Sequence, residues 1–147
     1  MKIVIISDTH GDVSAIRRIL INEPDGDIYL HAGDVLLPKE EVNPFAAVRG
    51  NCDFSALFPE HLMIKTPRGG LYLTHYPNSD PSFLLQLKEQ GVRFFVHGHT
   101  HVMEDYTSFG VRNLCPGSIS YPEDSNEGTY LCLIVSENEE NVIFKKI

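Results

Sequence analysis

The chain has 147 residues, of which 42% are hydrophobic and 22% are charged, an ordinary composition for a globular protein. This length is enough for one hydrophobic core, so we predict a single domain over residues 1–147. The formal net charge of −8 argues against non-specific binding to nucleic acid, because phosphate backbones attract basic surfaces.

The three cysteines, Cys52, Cys115 and Cys132, are an odd number at irregular spacing. This pattern argues against a disulfide framework and favours a reducing compartment. The sequence opens directly on a strand-like run without a charged leader, and no apolar run approaches the length of a membrane span. We therefore expect a cytoplasmic protein that does not bind membranes.

Three strands are predicted in the first part of the chain, and polar residues follow each of them. A helix capped by Asp12 or Ser14 and ending near Asn22 is expected after the first strand. Residues 35–44 are too few for a full crossover helix and are predicted to hold one helical turn, from Lys39 to Val42. The predicted strands are Lys2–Ser7, Asp27–His31 and Phe45–Arg49. The polar segments after them are Asp8-Thr9-His10-Gly11, Ala32-Gly33-Asp34 and Gly50-Asn51-Cys52-Asp53.

The second part of the chain is richer in strand-like segments. Two strands around a turn at residues 67–70 are followed by a helix that Asp80 or Ser82 caps and that runs to about Gln90. An apolar strand then leads into His97-Gly98-His99-Thr100-His101. The predicted strands are His61–Lys65, Leu71–His75, Val92–Val96, Val102–Ser108, Val111–Leu114, Thr129–Val135 and Val142–Lys146.

Seven polar side chains lie at or just beyond the ends of these strands. We expect them to meet, because the crevice beyond the carboxyl ends of strands is the usual ligand site in an open α/β sheet. Two carboxylates, one amide oxygen and four imidazoles exceed the four ligands of a structural zinc, which favours thiolate. The set suits two metal ions bridged by a carboxylate and a water. The seven residues are Asp8, His10, Asp34, Asn51, His75, His99 and His101.

Each of these residues has a simpler interpretation when it is taken alone. Asp8 could be a helix cap, Asn51 a turn residue and His75 a core histidine. The recurrence of such residues at successive strand ends is what favours a metal centre.

The motifs around these residues resemble those of the calcineurin-like metallophosphoesterase superfamily, in the same order and over nearly the whole chain. The small size and the form Gly-Asn-Cys-Asp are most similar to its minimal prokaryotic phosphodiesterase branch. The resemblance implies a four-layer α/β/β/α sandwich, with two mixed β-sheets face to face and helices outside. The matching motifs are Asp8-Thr9-His10-Gly11, Gly33-Asp34, Gly50-Asn51-Cys52-Asp53, Thr74-His75 and Gly98-His99-Thr100-His101.

The resemblance also implies a role for each ligand. Asp8, His10 and His101 would hold the first metal ion, and Asn51, His75 and His99 the second. Asp34 would bridge both ions, and a hydroxide between them would attack phosphorus in line with the leaving oxygen. Manganese is the metal we expect, with nickel, iron, cobalt and zinc as alternatives for such a site of nitrogen and oxygen ligands.

One position departs from the family pattern. Many members carry a histidine after the asparagine of the third motif, thought to protonate the leaving group, and this chain has Cys52 there. A thiol is a weak hydrogen-bond donor, which leaves open how a proton reaches the leaving group. Asp53, which would orient that histidine, has no certain role here. The candidate catalytic residues are Asp34, Asn51, Cys52 and Asp53.

Five further residues and one turn receive no catalytic role. His31 and His97 are interpreted as structural or as supports of the metal ligands, and His61 is placed in a surface loop. Cys115 and Cys132 lie in strand-like runs and are expected in the core. A turn over residues 116–118 is expected near the site.

The predicted function is a binuclear metal-dependent phosphodiesterase that acts on a small phosphate ester. One alternative is a scaffold or adaptor that kept the fold and lost its chemistry, although all seven ligand positions hold competent residues. Another is a phosphomonoesterase or nucleotidase, which would share the metals. A homo-oligomer is compatible with the sequence, which does not identify the substrate.

Overall fold

The computed structural model describes residues 1–54, 57–125 and 127–147. These residues form ten strands and three helices. The strands are β1 Lys2–Ile6, β2 Ile28–His31, β3 Ala46–Ala47, β4 His61–Thr66, β5 Gly69–Thr74, β6 Val92–Val96, β7 Met103–Ser108, β8 Val111–Pro116, β9 Thr129–Val135 and β10 Glu140–Lys146. The helices are α1 Val13–Asn22, α2 Lys39–Val42 and α3 Pro81–Glu89.

The strands form two five-stranded sheets, in the orders β10-β9-β1-β2-β3 and β4-β5-β6-β8-β7. Both sheets are mixed. In the first, β1 is parallel to β2 and antiparallel to β9. In the second, β6 is parallel to both β5 and β8, while β4 and β7 run antiparallel at the edges.

The main hydrophobic core lies between the two sheets. It combines side chains from β1, β2 and β9 of one sheet with side chains from β5, β6 and β8 of the other. Ile5, Leu73 and Phe94 are fully buried in this layer. Burial on this scale is the main source of stability for a domain of this size.

Each sheet carries a helix on its outer face. Ile16 and Ile19 of α1 pack with Val4 on the first sheet. Leu84 and Leu87 of α3 pack against the second sheet, in a cluster that includes residues of β6 and β8. The result is the predicted four-layer α/β/β/α sandwich with two mixed sheets.

The two longer helices begin as the sequence indicates. Asp12 accepts a hydrogen bond from the N–H of Ala15, 3.0 Å away, and Asp80 accepts one from Ser82 at 3.1 Å. Of the alternatives considered for each helix, the aspartate is therefore the cap. The predicted helical turn at residues 39–42 is also present.

Three local predictions need correction. The third strand spans only Ala46–Ala47, because it pairs with just two residues at the end of β2. The turn predicted over residues 67–70 is shorter, since Gly69 already pairs with Thr66. His61 is exposed, as expected, and it begins β4, as the predicted strand His61–Lys65 indicated, so its placement in a loop is wrong. Its ring stacks on Tyr72 with centroids 5.4 Å apart. An edge strand can expose a side chain as fully as a loop does.

Of the cysteines, Cys115 and Cys132 are buried and Cys52 is exposed, and all three are free thiols. The two buried cysteines therefore lie in the core, as predicted. None of the helices within the described residues is long and apolar enough to cross a membrane.

The carboxyl ends of four parallel strands, β1, β2, β5 and β6, bring the predicted polar segments to one edge of the sandwich. Hydrogen bonds connect these segments within each sheet and between the sheets. In the first sheet, His10 donates its N–H to the carbonyl of Asp34 at 3.0 Å, and in the second, Gly98 donates to the carbonyl of His75, also at 3.0 Å. Between the sheets, the N–H of His99 donates to Oδ2 of Asp8 at 3.3 Å. Loops from both sheets thus form one continuous surface.

A buried glutamate ties α1 to the first sheet. The carboxylate of Glu23 accepts hydrogen bonds from Lys2 at 2.7 Å, Tyr130 at 2.9 Å and Lys145 at 2.5 Å. Burial alone would raise the pKa of Glu23, but the hydrogen bonds from Lys145, Lys2 and Tyr130 outweigh it and hold the pKa at about 2. The charged form of Glu23 is therefore stabilised by folding.

We expect Glu23→Gln to lower the free energy of unfolding at pH 7 by roughly 1–3 kcal/mol, since two ammonium groups lose their carboxylate. Because the folded state lowers this pKa, the wild-type contribution is complete above about pH 4.5 and disappears as the pH falls towards 2. Denaturant unfolding at pH 7 and at pH 3 measures both effects.

Asp25→Asn is the matched control. Asp25 also contacts Lys2, at 2.6 Å, but its side chain is 71% exposed. An exposed pair of this kind contributes little to stability, because water and salt screen it. Equal destabilisation by the two substitutions would contradict the role assigned to Glu23.

Candidate metal centre

Three of the predicted ligands form a tight group at the end of β1. Asp8, His10 and His101 each offer a ligand atom, and these atoms lie within 4.8 Å of one another. The Nε2 atom of His101 is 3.2 Å from Oδ1 of Asp8. Asp8 is fully buried, whereas His10 and His101 are partly open to solvent. The group therefore faces the surface at one side only.

Asp34 lies between this group and a second one. Its Oδ2 atom is 3.7 Å from Nε2 of His10 and 3.5 Å from Nε2 of His75. Asp8, Asp34 and His75 also have ligand atoms within 4.8 Å of one another. One carboxylate thus contacts histidines that come from opposite sheets of the sandwich.

The other two predicted ligands adjoin His75. Oδ1 of Asn51 is 2.9 Å from Nε2 of His75. The rings of His75 and His99 meet edge to face with centroids 5.1 Å apart. The fold therefore brings all seven residues predicted from the strand ends to one place, although metal coordination by them remains a prediction.

Backbone carbonyls fix the orientation of two of the histidines. Nδ1 of His75 is 2.7 Å from the carbonyl oxygen of Ala32, and Nδ1 of His101 is 2.7 Å from that of Tyr121. A carbonyl only accepts, so each Nδ1 carries the proton. When these rings are neutral, the lone pair of each Nε2 is directed at the carboxylates, an arrangement typical of histidines that bind metals.

Two buried polar atoms in the centre lack hydrogen-bond partners among the described residues. They are Oδ1 of Asp8 and Nε2 of His10. An unpaired buried carboxylate oxygen is energetically unfavourable unless a cation or a donor compensates it. Both atoms belong to the group that also contains His101, so the donor set and its vacant hydrogen-bonding capacity fit a divalent cation.

Strained backbone positions the ligands. Five of the seven predicted ligands have positive φ angles: Asp8 at 54°, His10 at 47°, Asp34 at 57°, His99 at 71° and His101 at 60°. Such conformations are unfavourable for residues with a Cβ atom and cluster at functional sites.

These observations match known proteins closely. The family model for the calcineurin-like phosphoesterase superfamily domain matches residues 1–138. The chain belongs to this superfamily. The expected family is thereby confirmed, and phosphoesterase chemistry with divalent metal cofactors is the activity that the family implies.

Two curated bacterial relatives cover nearly the whole chain. The protein named Probable metallophosphoesterase YsnB, from Bacillus subtilis, is 28% identical over 98% of this chain and 90% of its own length. Phosphodiesterase YfcE from Escherichia coli is 28% identical over 97% of this chain and 96% of its own.

A solved structure shows the same architecture. It is that of a conserved protein from Streptococcus pneumoniae described as a predicted phosphoesterase. It aligns with a TM-score of 0.84 and 27% identity, covering 99% of this chain and 88% of that one.

Cys52 stands where the family resemblance led us to expect a histidine. Its thiol lies within 4.8 Å of ligand atoms of His10 and Asp34, and its N–H donates to Oδ1 of Asp34 at 2.9 Å. Burial raises the pKa of the Cys52 thiol, and the charge of Asp34 raises it further. The thiol is therefore protonated at neutral pH and borders the centre.

Asp53 organises the loops around Cys52. Its Oδ1 accepts hydrogen bonds from the N–H groups of Val35 and Leu36, both at 2.9 Å, and its Oδ2 accepts one from Gly50 at 2.8 Å. Backbone donors thus engage both carboxylate oxygens. This geometry favours a positioning role, and the catalytic role predicted for Asp53 remains a prediction.

Two further histidines are satisfied outside the seven-residue group. His31 accepts a hydrogen bond at Nδ1 from the N–H of Gly33, and its Nε2 is 2.9 Å from Oγ1 of Thr9. Burial, aided by the nearby His75, lowers the pKa of His31 to about 3, so the ring is neutral and structural. His97 pairs with Glu104 at 2.7 Å.

The sequence reasoning missed the residues that support the Asp8 loop. Ser118 donates its hydroxyl to the carbonyl of Asp8 at 3.0 Å, and Ser120 donates to that of Thr9 at 2.6 Å. Tyr121 places its ring 5.0 Å from that of His10. Hydroxyl residues are common in turns, so their presence in the sequence did not mark them as functional. The turn predicted near the site was the only indication that these residues could lie beside the ligands.

Gly98 permits the close approach of two loops. A Cβ atom there would lie 2.1 Å from Oγ of Ser7 and 3.0 Å from Oδ2 of Asp8. The same hydroxyl donates to that oxygen at 2.5 Å. We expect Gly98→Ala to displace the Asp8 carboxylate and weaken divalent-metal affinity by about tenfold or more, as calorimetric titration would measure.

Gly70→Ala provides the control, because the nearest atom to its Cβ is the flexible thioether of Met63 at 3.3 Å. Circular dichroism checks that both variants fold. Wild-type metal affinity in a folded Gly98→Ala variant would contradict the importance of this contact.

Proposed function

We propose that the protein is a binuclear metal-dependent phosphodiesterase. The observation that carries this proposal is the position of Asp34, whose Oδ2 lies within 4 Å of both His10 and His75. A carboxylate shared by ligands from both sheets is the geometry that two neighbouring cations require.

In this proposal Asp8, His10 and His101 hold one ion, and Asn51, His75 and His99 hold the other. Asp34 contacts both. Two bound ions would lower the pKa of a water and neutralise charge that builds on the phosphoryl oxygens. The mixed nitrogen and oxygen donors support manganese, and they are compatible with iron, nickel, cobalt or zinc.

A diester has two alcohol groups, and two cavities flank the segment Asn51–Asp53. An apolar cavity of about 300 Å³ lies on the side of Leu36 and Phe54. A more polar cavity of about 330 Å³ lies on the side of Arg49 and Tyr76. Room on both sides favours a diester over a monoester, which would need only one cavity.

The alternative of an inactive scaffold is less well supported by these residues. A decayed centre would have lost ligands, whereas this one retains two buried carboxylates and orients two imidazoles through backbone carbonyls. Such support for ligands is expected where the metals function.

The dependence of the hydrolysis rate on the leaving group tests the proposed reaction. With Cys52 in place of a histidine acid, an alkoxide leaves with little help from a proton, whereas nitrophenolate needs none. We expect manganese-loaded protein to hydrolyse bis-p-nitrophenyl phosphate and to hydrolyse unactivated diesters much more slowly. A plot of log kcat/KM against leaving-group pKa should be steep. Absence of hydrolysis of any diester by metal-loaded protein would overturn the proposed function.

Cys52→His refines this expectation. The new imidazole should accelerate poor leaving groups more than good ones, by about a hundredfold for the most basic alkoxides. Its plot of log kcat/KM against leaving-group pKa should therefore be flatter. A plot that is already flat for the wild type would mean that another group supplies the proton.

The bridging role of Asp34 predicts an order of damage between two variants. Asp34→Asn removes an anionic ligand from both ions and raises their mutual repulsion, whereas His10→Ala removes one neutral ligand from one ion. We expect Asp34→Asn to lose more metal and more activity than His10→Ala. Elemental analysis after saturation should find two ions per wild-type chain.

Greater loss in His10→Ala than in Asp34→Asn would contradict the bridging role of Asp34. Near wild-type turnover and metal content in Asp34→Asn, with a loss of both in His10→Ala, would assign the shared position to another residue. A single ion in the saturated wild-type protein would refute the binuclear centre itself.

A further inference from the structure

Leu36 occupies a backbone position that two other loops give to metal-site histidines. The loops after β1 and β6 each contain two residues of positive φ, two apart: Asp8 with His10, and His99 with His101. The loop after β2 repeats this geometry with Asp34 at 57° and Leu36 at 54°. A branched aliphatic side chain is strained in this conformation. At this position the loop after β2 presents an apolar side chain, whereas the other two loops present an imidazole, and such strained residues cluster at functional sites.

Leu36 lines the apolar cavity of about 300 Å³. The lining also includes Phe54, which is 81% exposed, and Leu57, which like Leu36 is 42% exposed. Large apolar side chains that are exposed together in an acidic protein mark a binding surface more often than chance. The cavity size suits one ring or a short alkyl group rather than a folded partner.

Among the described residues that line this cavity, one has a polar side chain, and it offers little to a polar ligand. It belongs to Asp53, whose two carboxylate oxygens already accept hydrogen bonds from backbone N–H groups. The other described lining residues are Leu37, Pro38 and the three exposed side chains. An apolar ligand therefore gains burial without leaving a polar group unsatisfied.

The cavity adjoins the segment that borders the metal centre. Asp53, which lines the cavity, joins the Leu36 loop to Gly50, and the residue before it, Cys52, has its thiol within 4.8 Å of ligand atoms of His10 and Asp34. An ester group of a phosphodiester held at the centre could therefore extend past Cys52 towards the cavity.

We propose that this cavity, lined by Leu36, Leu37, Pro38, Phe54 and Leu57, is a subsite for an apolar, preferably aromatic, ester group of the phosphodiester. The proposal rests on the proposed phosphodiesterase function and adds the substrate class. The phosphoryl group binds at the centre, the apolar ester group binds in the cavity, and the second ester group lies on the side of Arg49 and Tyr76.

Binding of two symmetrical diesters tests the subsite independently of turnover. Zinc-loaded protein, which is diamagnetic, is titrated with dibenzyl phosphate and with diethyl phosphate, and the dissociation constants are taken from leucine methyl resonances. Symmetry ensures that an apolar group reaches the cavity in either orientation. We expect dibenzyl phosphate to bind about tenfold more tightly, with the largest shifts at Leu36, Leu37 and Leu57.

Three variants measure the contribution of the cavity. Leu36→Ala and Phe54→Ala should each reduce the preference for dibenzyl phosphate by about threefold or more, and the double variant should abolish it. Leu85→Ala is the matched control, because Leu85 is 44% exposed on α3, away from the cavity. Phe54→Ala removes an exposed ring and so preserves the fold even if Leu36→Ala does not.

The outcomes separate this proposal from the proposed function. Equal affinity for the two diesters, a preference that survives in the double variant, or shifts confined to other residues would overturn the subsite. Preferential binding of dibenzyl phosphate at the cavity, without hydrolysis of any diester by metal-loaded protein, would sustain the subsite and overturn the phosphodiesterase proposal. Hydrolysis of diesters without preferential binding of dibenzyl phosphate would sustain the phosphodiesterase proposal and overturn the subsite.

Discussion

A fully buried carboxylate at the end of β1 constrains the rest of the centre. Asp8 has one oxygen held by Ser7, while the other lacks a hydrogen-bond partner among the described residues. Burial raises the pKa of Asp8, and the Ser7 hydroxyl and the nearby imidazoles of His75 and His101 oppose that rise. An isolated buried charge would be strongly unfavourable, so the loops that converge here must supply histidines and, in a metal-dependent family, cations.

The convergence itself follows from the sandwich. Loops from two sheets can meet because the parallel strands of each sheet end at the same edge, and close contacts at glycine allow them to approach. The opposite edge carries a separate ion-pair cluster, in which Glu140 accepts from Arg93 and Arg112. Hydrogen bonds from these two arginines outweigh burial and lower the pKa of Glu140. Ion pairing that joins the sheets is thus kept apart from the strained loops, where function requires unfavourable conformations.

Most of the individual elements were predictable from the sequence, because residue periodicity and turn residues determine them. β-branched runs and helix caps predicted the strands and helices, and polar residues at strand ends indicated the seven candidate ligands. The four-layer arrangement was implied by the family resemblance. The short third strand was not predictable, since its length depends on pairing with the end of β2. The support that Ser118 gives to Asp8 was equally hidden, because 110 positions of sequence separate the two residues. Leu36 was missed for another reason: no local pattern signals a positive φ at a leucine.

The repeated loop geometry explains how one scaffold can keep a metal centre and still vary its substrate. Three loops present a residue at the same strained position, and two of these residues are histidines of the centre. The third, Leu36, makes no demand on the metals, so its side chain is free to change without dismantling the ligand set. Cys52 is similar in that its backbone N–H donates to Asp34, a contact that does not depend on the side chain. The fold therefore determines where the candidate centre lies, while under the proposed function these two side chains would influence which ester is bound and how readily its alcohol leaves.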